Sequence, residues 1–438
     1  MIRTPSAFFR FAVPLLVGWA AGCASVSDDA DRPAETVLPP PETALSPTNA
    51  VPFDPGDPYG PFLALARSMM LVRDRFVEPL SYEKMLEGAV DGLFSSLDPY
   101  CQYLTSDGVS AMADDGAGLL CGIGVTLSPD PDGLFVEFPD PRSPAYRAGV
   151  RMGDLILAID THPCAEMGFD EATDLISGEA GTVVTLDLEH VDGSRESVSI
   201  RRSNLRLPTI ASEQVLTNGI GYLLVTQFGE TTADECKAAV RRLGGADLRG
   251  LVLDLRDNPG GYIDTAVAMA SLFLPQGAIV VRTRGRVPED DNQTYRASGP
   301  NPFRDLPLAI LVNINSASAS ELLSGALRDH GRAVLVGERT FGKACVQSVF
   351  DIPGVPDGSA KLTTAWYYTP KNSLIHGKGL EPDIAVPQTR DECWNARLRH
   401  LVEVHPELAF SEESRAACAA APDAPLDAAV AHLLNPTP

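Results

Sequence analysis

In the stretch Leu308–Gln347, LAILVNINSASASELLSGALRDHGRAVLVGERTFGKACVQ, two residue types stand where they could do chemistry: serines at the mouth of a helix and a lysine returned toward them. A serine hydroxyl becomes a nucleophile only beside a group that takes its proton, and a neutral lysine amine is such a group. Leu308–Val312 is an apolar, partly β-branched run of strand type, cut at Asn313–Ser316 by residues that favour turns and helix caps. Ala317–Leu327 is rich in Ala, Leu and Glu, so Ser316 or Ser318 stands at a helix start above a sheet edge. Ala333–Val336 reads as the next strand, and GERTFGK carries Lys343 round a glycine-bearing turn. Strand, serine, helix, strand and lysine in this order suggest a Ser/Lys nucleophile pair. Leu253–Gly261, LDLRDNPGG, is a strand running into a turn whose glycines Gly260 and Gly261 expose backbone. Bare N–H groups near a nucleophile can hold an oxyanion, although NPGG alone is only a turn.

Other segments must position these residues. Beyond Ser203, GIGYLLVTQF, LRGLVLDLRDNPGGYIDTAVAMASLFL and PLAILVNINSASASELL alternate strands with helices, which predicts an α/β domain. Upstream, Ile123, Val125 and Leu127, a PDG turn at Pro131–Gly133, and Leu134, Val136 and Phe138 alternate as a β-hairpin. SPAYRAGVRMGDLILAID supplies a short helix and a strand, FDEATDLI an amphipathic helix, and TVVTLDLEH another strand. Between Phe62 and Leu97 the apolar spacing predicts two helices broken at Pro79, ending in a turn at Asp98-Pro99.

A chain of 438 residues is long for one core, so two or three domains are expected. A formal charge of −23 argues against nucleic acid and against a polybasic membrane contact, since neither phosphate nor anionic lipid is neutralised without clustered Lys and Arg. Arg3 and Arg10 precede the apolar run Phe11–Ala21, too short to span a bilayer and ending at small residues before Cys23, which reads as an export signal. Ala20–Cys23 resembles a bacterial lipoprotein cleavage box, with alanine where leucine is usual, so Cys23 is the expected lipidated residue. Residues 24–61, rich in Pro, Asp, Thr and Ala, read as a disordered tether. No cysteine pair is spaced for zinc. Cys393 and Cys418, close together in the terminal segment, are the preferred disulfide.

The segment from about Gly116 to Arg202 resembles a PDZ domain: Gly122, Ile123, Gly124 and Val125 match its carboxylate-binding loop, and SPAYRAGVRMGD its most recognisable internal stretch. Glycines let successive N–H groups face one point, and the strand after them can accept an extended peptide. LDLRDNPGG, SASASELLSGALRDHGRAVLVGERTFGKACVQ and LTTAWYYTPKNSLIHGKGLEPDI together resemble the carboxyl-terminal processing peptidases, or tail-specific proteases, over roughly Phe62–Pro387. The resemblance implies an α/β protease core with an inserted or preceding β-rich PDZ domain and a helical N-terminal region. The implied boundaries are 1–23 export signal, 24–61 tether, 62–115 helical region, 116–202 PDZ domain, 203–390 serine protease core, and 391–438 a tail open to helix formation.

The family pattern places the nucleophile at Ser318 and the general base at Lys343, 25 residues on. It places at Gln347 a neutral group that orients the lysine amine. Lysine accepts a proton only when burial and the absence of a carboxylate partner pull its pKa down from about 10.4, a role suited to Phe341, Ala344, Cys345 and Val346. Backbone N–H groups of Gly260, Gly261 and Ala319 are the expected oxyanion donors. Asp329 matches a family aspartate but lies 11 residues after Ser318, about 16 Å of helical rise, and reads as structural, as does His330. The pattern is departed from at Ala344, where glycine is common, and at Cys101, where a small polar residue is usual. No metal or cofactor is expected. The implied function is a serine endopeptidase of the bacterial envelope, on the periplasmic side and lipid-anchored to a membrane. Its substrates would be proteins with free C-terminal tails, and an adaptor or activator is a further expected partner; oligomeric state is left open. The alternative is a tail-binding PDZ adaptor with a resting or inactive protease core.

Overall fold

The computed structural model describes residues 59–435 apart from 107, 111, 113–118, 207–208, 217, 353–354, 356–357, 390–391, 394, 397–398, 400–419 and 421. The export signal with Cys23, almost all of the tether, and Cys418 fall outside the described residues. Two compact units divide the chain, one to Leu93 and one from Phe94. The first holds α1 (Gly60–Arg75) and most of α2 (Tyr82–Ser95). Pro61 in the first turn and Arg73 and Arg75 in the last fit the fixed φ and dipole of a helix, and α1 buries none of its residues.

The second unit opens with a turn in which Asp98 Oδ1 accepts the N–H groups of Tyr100 and Cys101, both at 2.8 Å, and which leads into β1 (Gln102–Thr105). The two expected helices and the turn at Asp98-Pro99 are thus followed by a short strand within the region expected to run to 115. Leu104 of β1 is buried, and the strand's partner lies far along the chain. Next comes β2 (Leu119–Gly122), then an antiparallel sheet of β3 (Val125–Asp130), β4 (Gly133–Pro139), β5 (Leu155–Ile159), β6 (Val183–Glu189) and β7 (Arg195–Arg201), in that order. Alternate residues Val184, Leu186 and Leu188 point into its own core, where Ala172 and Ile176 of α3 (Phe169–Ile176) join them. Arg202 closes α3, donating to the carbonyls of Leu175 and Ile176. β8 (Ser203–Arg206) returns to pair with β2, so two antiparallel strands lead into and out of this module.

The remaining core alternates strand and helix: β9 (Ile210–Val215), β10 (Ile220–Val225), α4 (Thr232–Arg242), β11 (Gly250–Asp254) and α5 (Ile263–Ser271). After β12 (Ile279–Gly285) and β13 (Thr294–Arg296) come β14 (Leu308–Val312), α6 (Ala319–Asp329) and β15 (Ala333–Gly337). β16 (Cys345–Asp351), β17 (Gly358–Tyr368), β18 (Ile384–Ala385) and α7 (Ala424–Leu434) complete it. The main sheet runs β9-β10-β11-β14-β15-β18, parallel from β10 onward. Leu251, Leu253, Ile310 and Val312 pack on one face with Leu322, Leu323 and Ala326 of α6, while Val252, Ala309 and Leu311 pack on the other with Leu426, Ala429 and Leu433 of α7. Burial on both faces is why these strands are continuous apolar runs. α7 belongs to the core although it lies in the segment expected to be a tail. The second sheet is β1-β17-β12-β13, with β16 also paired to β17. Among the described residues, no helix is long and apolar enough to cross a membrane.

Candidate active site

Parallel packing brings the carboxyl ends of β11 and β14 side by side, the edge of an α/β sheet where ligands bind. From β11 emerges the NPGG turn and from β14 the SASAS turn. Ser318 is held at φ 54°, ψ −115°, a region that costs a non-glycine residue about 1–3 kcal/mol. Its neighbours differ from it. Ser316 Oγ donates to the Leu255 carbonyl at 2.7 Å and Ser320 Oγ to that of Asn258 at 2.9 Å, both fully buried, whereas Ser318 is partly exposed. Of the three, Ser318 alone is not buried.

Asn258 joins the two turns. Its carbonyl accepts from Ala317 N–H at 3.0 Å as well as from Ser320, its Nδ2 donates to the Val225 carbonyl, and its Oδ1 accepts Gly260 N–H at 2.9 Å. A Cβ on Gly260 would lie 2.7 Å from both the Ala317 carbonyl oxygen and Ser318 Cβ, and 2.8 Å from Ala319 N. Only glycine permits this approach. The bond to Asn258 also removes Gly260 from the expected oxyanion donors, because its N–H is already spent. Gly261, at φ 144°, and Ala319, first residue of α6, donate to no described group.

The lysine loop is fastened to the serine turn by Glu321, a residue not singled out from the sequence. Its fully buried carboxylate accepts from Ser318 N–H at 2.9 Å, Lys343 N–H at 2.8 Å, Gly342 N–H at 2.7 Å and Thr340 Oγ1 at 2.5 Å. Burial pushes its carboxyl pKa up, against hydrogen bonds that draw it down. The signal was present, since Ser318 and Glu321 have the S-x-x-E spacing of a capping box. Its reach to Lys343 is tertiary and has no local pattern. Tyr367 makes a second tie: its hydroxyl donates to the Ser318 carbonyl at 2.8 Å and also meets the Lys343 carbonyl. Burial pushes its phenol pKa well up, which keeps the donor proton.

The side chains of the pair are less intimate than their backbones. Lys343 Nζ lies 4.6 Å from the centroid of the Tyr100 ring, and no hydrogen bond joins it to Ser318 Oγ. Gln347 Nε2 does not hold the amine; it donates to the Tyr100 carbonyl at 2.5 Å. Of the residues expected to bury the lysine, Ala344 and Cys345 are buried but Phe341 is 52% exposed. Asp329 Oδ2 accepts the N–H of Lys371 at the far end of α6, and His330 Nε2 meets the Ile279 carbonyl, both structural places. Cys393 carries a free thiol against Asn313, and its expected partner Cys418 lies outside the described residues. No group of three or more His, Cys, Asp or Glu able to hold a metal occurs among the described residues.

In the β-rich module, β3 is an edge strand and the Gly122–Val125 loop precedes it. Ile123 is buried, and Gly124, at φ 78°, packs so closely on Ser143 and Leu205 that a Cβ would meet each at 2.5 Å. Gly122 lies beside Ser177, at the end of α3. The loop therefore lies at the start of the β3 edge and beside the C-terminal end of α3.

Residues 219–386 match the model of peptidase family S41, and residues 135–189 match that of a PDZ domain. A carboxy-terminal-processing protease of Bartonella bacilliformis is 36% identical over 326 residues, covering 73% of this chain and 74% of that one. The chain belongs to peptidase family S41. A CtpA-like serine protease of Staphylococcus haemolyticus is 35% identical over 312 residues, 70% of this chain and 61% of the relative. A Bacteroides fragilis protein assigned to the S41 proteases, 17% identical with a TM-score of 0.51 and coverage of 81% and 95%, shares the fold. As a member of S41 the chain is a serine-type peptidase with a PDZ domain, related to enzymes of carboxy-terminal processing, and its substrates are proteins.

Proposed function

We propose that this S41 peptidase is an endopeptidase in which Ser318 is the nucleophile and Lys343 the general base, acting on exported or envelope proteins selected by their C-terminal tails. One observation carries the reading: a single buried carboxylate, Glu321, binds the backbone N–H groups of both Ser318 and Lys343. Neutral Lys343 takes the Ser318 proton as Oγ attacks the scissile carbonyl, and Gly261 and Ala319 N–H groups receive the oxyanion. The lysine then protonates the leaving amine, and water resolves the acyl-enzyme. A substrate tail would add to the β3 edge with its carboxylate in the Gly122–Val125 loop. Cys23 would carry a lipid anchor on the periplasmic side of the envelope, tested by the mass of the mature N-terminus.

Cleavage of an unstructured protein with an apolar C-terminus tests the chemistry. Ser318→Ala and Lys343→Ala each abolish it, and undiminished proteolysis by either overturns the assignment. Blocking the substrate's terminal carboxylate slows cleavage; equal rates remove tail recognition. A second reading, a tail-binding adaptor whose protease core rests until a partner rearranges it, draws support from the lack of a hydrogen bond between Lys343 Nζ and Ser318 Oγ, with the amine over the Tyr100 ring. It predicts tail binding without turnover.

A further inference from the structure

The Tyr100 backbone is held at both its N–H and its carbonyl, and its ring has an aromatic neighbour. Its N–H donates to Asp98 Oδ1 at 2.8 Å, its carbonyl accepts from Gln347 Nε2 at 2.5 Å, and its ring stands edge-on to His376 with centroids 6.3 Å apart. The face of that ring is where the Lys343 amine lies, 4.6 Å from the centroid. An aromatic face attracts an ammonium through its quadrupole and has no comparable hold on a neutral amine. The contact thus opposes what a general base requires.

We propose that Tyr100 is a positioning residue for the base: its ring parks the Lys343 amine in the charged form away from Ser318, and catalysis begins when the neutral amine leaves it. This rests on the assignment of Lys343 as base. The expected role of Gln347 changes with it, since that side chain steers the lysine through the Tyr100 backbone and not by touching the amine.

Other groups around the lysine act on the same balance. Asp98, held below the usual carboxylate range first by the Thr363 side chain and then by the backbone N–H groups of Tyr100 and Cys101 against the effect of burial, and Glu321, bonded to the Lys343 backbone N–H, are anions of the kind that favours an ammonium. Lys361 on β17 opposes it as a like charge. Cys345 and Tyr367 are pushed up by burial and His376 is held toward its neutral form, so these three add no charge near neutral pH. Tyr100 differs from all of them in touching the amine itself.

The test is the pH dependence of kcat/KM for the full chain, whose acid limb reports the base of the free enzyme. Tyr100→Leu moves that limb down by about half to one pH unit, raising kcat/KM about three- to tenfold at pH values below it. Tyr100→Phe, which keeps the ring, leaves the limb in place. Tyr100→Trp, a stronger cation binder, moves it up, a direction that loosened packing does not mimic. An unmoved limb in the Leu and Trp variants, or an equal shift in Phe and Leu, overturns the proposal. The Lys343 13Cε resonance of the Ser318→Ala protein, titrated with and without Tyr100→Leu, reads the contact without turnover; no change in its midpoint also overturns it. Full activity in Lys343→Ala would instead sink the dyad, so the two failures are distinguishable.

Discussion

A carboxylate that meets no water and accepts four hydrogen bonds fixes whatever supplies them, and Glu321 receives three backbone N–H groups and one hydroxyl. Its neutral isostere turns an amide NH2 toward some of those donors, leaving them buried without acceptors at about 1–3 kcal/mol each. Glu321→Gln therefore lowers kcat/KM by about 100-fold or more and lowers the unfolding midpoint, with KM less affected than kcat; an unchanged rate would show that the two turns need no common anchor. The helix start at Ser318 and the turn that carries Lys343 were legible in the sequence because each sits in a long motif. Glu321 and Tyr367 were not, because their work is to join segments: Glu321 reaches a residue 22 positions away, and Tyr367 one 49 positions away.

Among elements, the alternation along β11 and β14 sends Leu253 and Ile310 to one face and Val252 and Ala309 to the other, and so fixes which way the turns at their ends open. Those strands and α6 were readable from apolar runs and caps. β1 was not, since a four-residue strand is defined by its partner, and Gln102 pairs with Lys361. The PDZ domain has an element-level pH response of its own. His190 Nδ1 lies 3.0 Å from Asp154 Oδ1; the hydrogen bond to Asp154 raises the imidazole pKa, and burial raises that of the Asp154 carboxyl. Folded pKa values above the unfolded ones give stability that is present below the unfolded pKa and lost as pH rises through the folded one. For His190 that loss begins above the ordinary imidazole value of about 6.5, and for Asp154 above the ordinary carboxyl value of about 4. The thermal midpoint of this domain accordingly falls from pH 6 to pH 8, and His190→Gln flattens the slope; a slope unchanged by the substitution contradicts the assignment.

At the scale of the molecule, the strand that presents the NPGG turn is tied to the far end of the chain. Arg256 pairs with Asp254 at 2.6 Å and with Asp423, the N-cap of α7, at 2.8 Å, and Tyr222 Oη donates to Asp254 at 2.8 Å. Burial opposes the guanidinium charge, but the two carboxylates more than offset it and hold its pKa above the ordinary value. Asp423→Ala strands half of that charge and costs about 3–5 kcal/mol by denaturant unfolding, with α7 becoming accessible to protease. A loss below about 1 kcal/mol would mean that α7 is held by its apolar face alone. The α/β order of the core was visible from the alternation of segments. This closure was not, because Arg256 and Asp423 are 167 residues apart. The central claim, that Ser318 is acylated because Lys343 removes its proton, is tested most directly by peptide mapping after exposure to a fluorophosphonate. The account predicts one adduct, on Ser318, absent in Lys343→Ala at neutral pH. An adduct on another residue, or equal labelling of Ser318 without the lysine, would contradict it.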